Sequence, residues 1–231
     1  MKPNFALNLT HESIVLLHRT ARGWLEVGSA ALDDPDLGEA LTYLRRSALG
    51  LAPHGVATKL IIPNSQILYT EVPAPGPDVD ARFAQIRRAL EGRTPYAVDD
   101  LVFDWSGDGP VVQVAVVARE TLEEAEGFAS QYRFNPVSFA AIPEGGDFAG
   151  EPFFGEPGLG RALHLGGGDA LERLGDARAR VPWQSHGAGK ADLHGLTHEG
   201  VALIDLLRHC LADDPLQFLF GNPFLGDALH F

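Results

Sequence analysis

The sequence predicts an α/β fold, a mixed sheet covered by helices, over residues 1–143. Three observations carry that expectation. Short runs alternate apolar and polar residues with period two, the mark of half-buried strands. Three longer stretches repeat their apolar residues at three and four, which puts one stripe on a helix face. The two kinds of segment follow each other as βββαββαββαβ, an antiparallel start followed by helical crossovers.

Phe5 to Thr10, Ser13 to Arg19 and Trp24 to Ala31 alternate as strands, and the short gaps at His11-Glu12 and Ala21-Arg22-Gly23 make them a meander. Asp33, Asp34 and Pro35 then mark a helix start. Leu37, Leu41, Leu44 and Ala48 form its apolar stripe, and Gly50 is placed to end it. A strand from Val56 to Ile62 stops at Pro63, and a return strand from Gln66 to Val72 stops at Pro73. The second helix carries Val79, Phe83, Ile86 and Leu90 on one side. Leu101 to Trp105 alternates again, with Leu101, Phe103 and Trp105 facing one way and Val102 and Asp104 the other. Gly107-Asp108-Gly109 makes a hairpin turn into Val111 to Val117. A third helix begins near Arg119 with Leu122, Ala125, Ala129 and Tyr132 inward, and Val137 to Ile142 is the last strand. This order also suits another α/β or α+β sandwich.

Composition narrows the function. A formal charge of −13 with only 18 basic residues leaves no basic face to displace counterions from a nucleic acid, and it disfavours an anionic membrane surface. The single Cys210 excludes a disulfide framework and a multi-cysteine zinc site. No apolar run reaches the ~18 residues of a membrane span, and the opening residues lack a signal-peptide core. The expected location is cytoplasmic.

The passage from Arg93 to Trp105, R-T-P-Y-A-V-D-D-L-V-F-D-W, is the most distinctive part of the chain. It leaves a helix through Pro95-Tyr96 and enters a strand through Asp99, Asp100 and Asp104. With the Lys59–Pro73 strands before it and the Val111-to-Ala129 strand and helix after it, the passage resembles the N-terminal lobe of the actin-like proteins of pilus assembly and type II secretion, the PilM and GspL types. The resemblance covers roughly residues 4–143 and implies an RNase H/actin-like lobe. It also implies a cytoplasmic scaffold that receives the tail of an inner-membrane assembly protein. Tyr96 and Tyr69 are the candidate partner-binding residues, whereas Phe103 and Trp105 are expected in the core.

Actin-like ATPases carry a phosphate loop, Asp-x-Gly and small hydroxyl residues, at the first hairpin. Its backbone amides cradle phosphate, and glycine allows the close approach. The matching residues here are Asn8-Leu9-Thr10-His11-Glu12-Ser13. Asn8 replaces the carboxylate that helps hold magnesium, Thr10 replaces glycine, and His11 and Glu12 add bulk and negative charge. The expectation is a degenerate site, no bound cofactor and no hydrolysis. The alternative is an ATP- and magnesium-binding switch with Asn8, Thr10 and Ser13 lining the phosphate.

Other constellations point away from catalysis. Asp99-Asp100 suits a solvated loop and Asp104 the outer face of a strand better than a carboxylate pair for acid–base work. No G-x-S-x-G, Walker or dinucleotide motif occurs. Residues 144–231 are rich in glycine and histidine, and are expected to be a degenerate remnant of a second lobe. Leu165-Gly166-Gly167-Gly168-Asp169 has its Asp on the wrong side of the glycines for a second phosphate loop. His194 and His198, near Asp192, Glu199 and His209, have helical spacing for a metal, but Gly195 and Gly200 weaken the helix. Val201, Ile204, Leu207 and Leu211 mark an amphipathic helix, on which Cys210 is expected as a small buried hydrophobe.

Overall fold

The computed structural model of the chain describes residues 2–158. The Leu165–Asp169 glycine cluster, the histidine pair with its neighbours, Cys210 and the Val201–Leu211 stripe lie outside the described residues.

Among the described residues, eight strands and three α-helices follow in the expected order. The first three strands are β1 (Phe5–Leu9), β2 (Ser13–Thr20) and β3 (Gly23–Ala31), followed by helix α1 (Leu37–Leu51) and β4 (Thr58–Ile61). Next come β5 (Ile67–Pro73), α2 (Val79–Leu90), β6 (Leu101–Ser106), β7 (Val111–Ala118), α3 (Arg119–Gln131) and β8 (Pro136–Ala140). The main sheet has the order β3-β2-β1-β4-β8. It is mixed, because β1 pairs antiparallel with β2 but parallel with β4, and β4 is parallel to β8.

Helices α1 and α3 bury their stripes on one face of this sheet. Leu37, Leu41, Leu44 and Ala48 of α1 meet Phe5, Leu7, Leu9 and Leu16, joined by Leu122, Ala125, Phe128 and Ala129 of α3. The α1 contact is close at Gly28, where a Cβ would come within 3.0 Å of a Leu44 methyl group. Helix α1 does not stop at Gly50. It runs to Leu51 and ends at Ala52, which precedes Pro53 and is steered away from helical geometry by the ring.

β4 and β5 are not a strand pair. Both edges of β4 are occupied, by β1 and β8, so β5 has no free ladder there and crosses to a second sheet of order β5-β7-β6. The expected alternation of β6 divides two cores. Leu101, Phe103 and Trp105 face α2, where Ile86, Leu90, Val112, Val114 and Val116 pack, while Val102 faces the main core. Phe83 stacks on Phe103 with ring centroids 5.0 Å apart. Asp78 caps α2 by accepting from the Ala81 N–H at 2.8 Å. Arg82, one turn further on, donates to the carbonyls of Gly76, Asp108 and Gly109, fastening the β6–β7 turn to the start of the helix.

Packing of this unit continues past residue 143. Phe148 and Phe154 belong to the main core, and Pro152–Gly155 lies antiparallel along β8. The Phe154 N–H donates to Phe139 O and the Phe139 N–H to Gly155 O, both at 3.0 Å. On the second face of the main sheet, Lys59 is only 2 % exposed; its ammonium pairs with Glu151 and lies 5.9 Å from the Trp24 ring centroid.

Candidate functional site

Because β1, β4 and β8 are mutually parallel, their C-terminal ends lie on one edge of the main sheet. That edge gathers the β1–β2 turn, Asn64 after β4, and Glu144 after β8. Ends of parallel strands are where open α/β sheets place ligands.

The turn is closed upon itself by Thr10. Its Oγ1 donates to Ser13 O at 2.8 Å and accepts from the N–H groups of Ser13 at 3.0 Å and Glu12 at 3.3 Å. The Thr10 N–H donates to Ser13 O at 3.0 Å. Two amides of the kind that would face a phosphate are therefore held by a side-chain oxygen inside the turn, while His11 and Glu12 are exposed at its tip. Of the three residues expected at the phosphate, Thr10 and Ser13 are brought together and bond to each other. Asn8 lies two residues back within β1, between Val15 and Ile61 of the flanking strands. Sequence reasoning registered the bulk of Thr10 but not its hydroxyl; a Thr three residues before a Ser at a tight turn is the pattern that signals such a closure.

Beside the turn, the Tyr69 hydroxyl donates to Asn64 Oδ1 at 2.7 Å, and Asn64 Nδ2 donates to Ile142 O at 2.7 Å. This ties the start of β5 to the end of β8. Burial pushes the Tyr69 phenol well above its ordinary pKa, and the carboxylates of Asp147 and Glu144 push it in the same direction. The same carboxylates, with Glu12, make this edge electronegative, which opposes a polyphosphate.

The two tyrosines singled out for partner binding differ in position. Tyr69 is half-buried against the main core. Tyr96 is 42 % exposed in the loop after α2. Phe103 and Trp105 pack in the second core, as expected. Asp99 is exposed and paired with Arg87 in a short 3-10 turn, Val98–Asp100. Asp104 departs from the expected outer face: it is half-buried, and its Oδ2 accepts from the Phe153 N–H at 3.0 Å, because the Pro152–Gly155 segment runs past it. Among the described residues there is no group of three metal-ligating side chains, and no helix is long and apolar enough to cross a membrane.

Solved structures of the GspL and PilM kind are similar to this chain. One is the cytoplasmic domain of EpsL, an inner membrane component of the type II secretion system of Vibrio cholerae. It is 17% identical with a TM-score of 0.46, and the match covers 62% of this chain and 60% of that one. Another is a PilM–PilN type IV pilus biogenesis complex, 15% identical with a TM-score of 0.44 over 58% of this chain and 46% of that one. The chain thus spans less than two thirds of either structure's length. No protein-family model and no curated protein matches the sequence.

Proposed function

We propose that this chain is a non-hydrolysing scaffold of an inner-membrane pilus or secretion assembly, docking on the cytoplasmic tail of a membrane-anchored partner. The observation that supports this reading is the closed first turn: the Glu12 and Ser13 amides are occupied by Thr10 Oγ1. Glycine would leave such amides free to point at a phosphate. The carboxylates that raise the Tyr69 pKa act in the same sense, since they repel an anion. The class of partner follows from the sequence resemblance, and exposed Tyr96 is the residue we assign to the docking surface.

Thermal unfolding with magnesium-ATP tests the first half. A ligand that binds only the native state stabilises it by RT ln(1 + [L]/Kd), about 2.7 kcal/mol at a hundredfold excess over Kd. No shift is expected at millimolar magnesium-ATP. A clear shift, lost on Thr10→Val, would restore the switch reading with Asn8, Thr10 and Ser13 at the phosphate. A photo-crosslinker at position 96, used in the native cell, tests the second half. The expected product joins this chain to a membrane protein; products with soluble proteins alone would remove Tyr96 from the docking surface.

A further inference from the structure

β3 is the outer strand of the main sheet, paired with β2 on one side and, among the described residues, with no strand on the other. Natural edge strands are blunted by lysine, proline or brevity, because their free N–H and C=O groups are a template for another chain. β3 has nine residues, G-W-L-E-V-G-S-A-A, with no lysine and no proline. Its one charge is Glu26, and Leu25 is 62 % exposed.

The backbone pattern selects a register for a partner. Thr20 and Gly23 close the two-residue β2–β3 turn, so Gly23 bonds inward and Trp24 and Glu26 turn their backbone groups outward. At the other end the Leu32 N–H donates to Glu12 O at 2.9 Å, so Ser29 and Ala31 turn outward, although the Ala31 carbonyl also accepts from the Asp34 N–H at 3.3 Å in the turn that follows. Val27 is the bulged residue between the two halves, since Leu17 pairs with Glu26 and Leu16 with Gly28. A second β3 running antiparallel about a two-fold axis matches outward groups to outward groups in one arrangement that uses all four residues: Trp24 faces Ala31, and Glu26 faces Ser29. The bulges then sit at the axis, and Glu26 does not oppose itself.

Charge supports the same occupant. In this register Arg22, exposed at the β2–β3 turn, and Asp33 of the partner subunit, exposed in the turn after β3, come to the same end of the shared ladder, and the symmetry repeats the pair. The Arg22 end of the edge is basic and the Asp33-Asp34 end is acidic, so an antiparallel copy is complementary and a parallel one is not. We propose that a second copy of this chain pairs with β3 through its own β3, joining two main sheets into one continuous sheet.

Sedimentation velocity of the full chain tests this, at about 0.15 M salt, where a screening length of about 8 Å damps repulsion between two molecules of net charge −13 but spares contact pairs. A concentration-dependent dimer is expected. Arg22→Asp and Asp33→Arg should each weaken it roughly tenfold, because one substitution breaks both symmetric pairs and adds like-charge contacts. The double variant R22D/D33R should restore it. Ser29→Pro should give a monomer with unchanged circular dichroism, because the lost N–H points away from β2. A wild-type monomer at every concentration would overturn the proposal, as would a dimer indifferent to all three substitutions.

Discussion

Glu151→Ala should be costly although Glu151 is itself not deeply buried. Its carboxylate pairs with the Lys59 ammonium on the second face of the main sheet, where Lys59 is 2 % and Glu151 29 % exposed. Removing the acid leaves a buried cation without its counter-charge, which costs about 3–5 kcal/mol in general. The lower end applies here, about 3 kcal/mol, because some water reaches the Glu151 side. At roughly 2–4 °C per kcal/mol for a domain of this size, the midpoint of thermal unfolding should fall by about 6–12 °C. Lys59→Met is the informative contrast. It removes the buried charge and leaves a carboxylate that can hydrate, at the expense of a Trp24 contact worth about 0.5–1 kcal/mol. A loss near 1 kcal/mol is expected, and E151A added to K59M should cost little more. Urea unfolding of the four proteins measures this. If Glu151→Ala falls within about 0.5 kcal/mol of wild type, or if Lys59→Met costs as much as Glu151→Ala, Lys59 is not a buried cation that depends on Glu151.

Two further outcomes follow from the hydrogen bonds. Tyr69→Phe strips Asn64 Oδ1 of its donor and should cost about 1 kcal/mol at neutral pH. The folded protein keeps the Tyr69 proton that the unfolded chain loses near pH 10, so this stability is complete below about pH 10 and declines as pH rises above it. The gap between wild type and Y69F in urea unfolding should therefore shrink from about pH 10 upward; a gap constant with pH would contradict the burial of that phenol. Arg82→Ala should cost about 2 kcal/mol and speed amide exchange in residues 107–109, since the guanidinium holds Asp108 and Gly109 carbonyls. Arg82→Lys should recover little, because an ammonium lacks the planar fork.

Much of the scaffold was legible because periodicity reports local geometry directly. The stripe Leu37, Leu41, Leu44, Ala48 is the buried set of α1, and the alternation of β6 separates the two cores. Pairing was less legible. Nothing in the pattern of Lys59 to Pro73 says whether two strands joined through Pro63 share a ladder; that depended on β8, a distant segment, occupying the free edge of β4. Phe148 and Phe154 were missed because single aromatics among glycines and prolines carry no period, though each fills the main core. At the first turn the bulk of Thr10 was legible, and the side-chain bond that closes the turn became visible only in the structure.

The second sheet is inserted in the chain between β4 and α3, and its entry and exit stand opposite each other, Ile67 facing Val117 across a single rung of the β5–β7 ladder. As a thread, this stretch is a detour that leaves and rejoins the path at almost the same point, so evolution could lengthen, swap or trim it without rerouting the remaining strands. Energetically it is no appendage. Ile67, Val102, Ala115 and Val117 are wall material of the larger core, and excising the detour would strip that wall as surely as it shortened the chain.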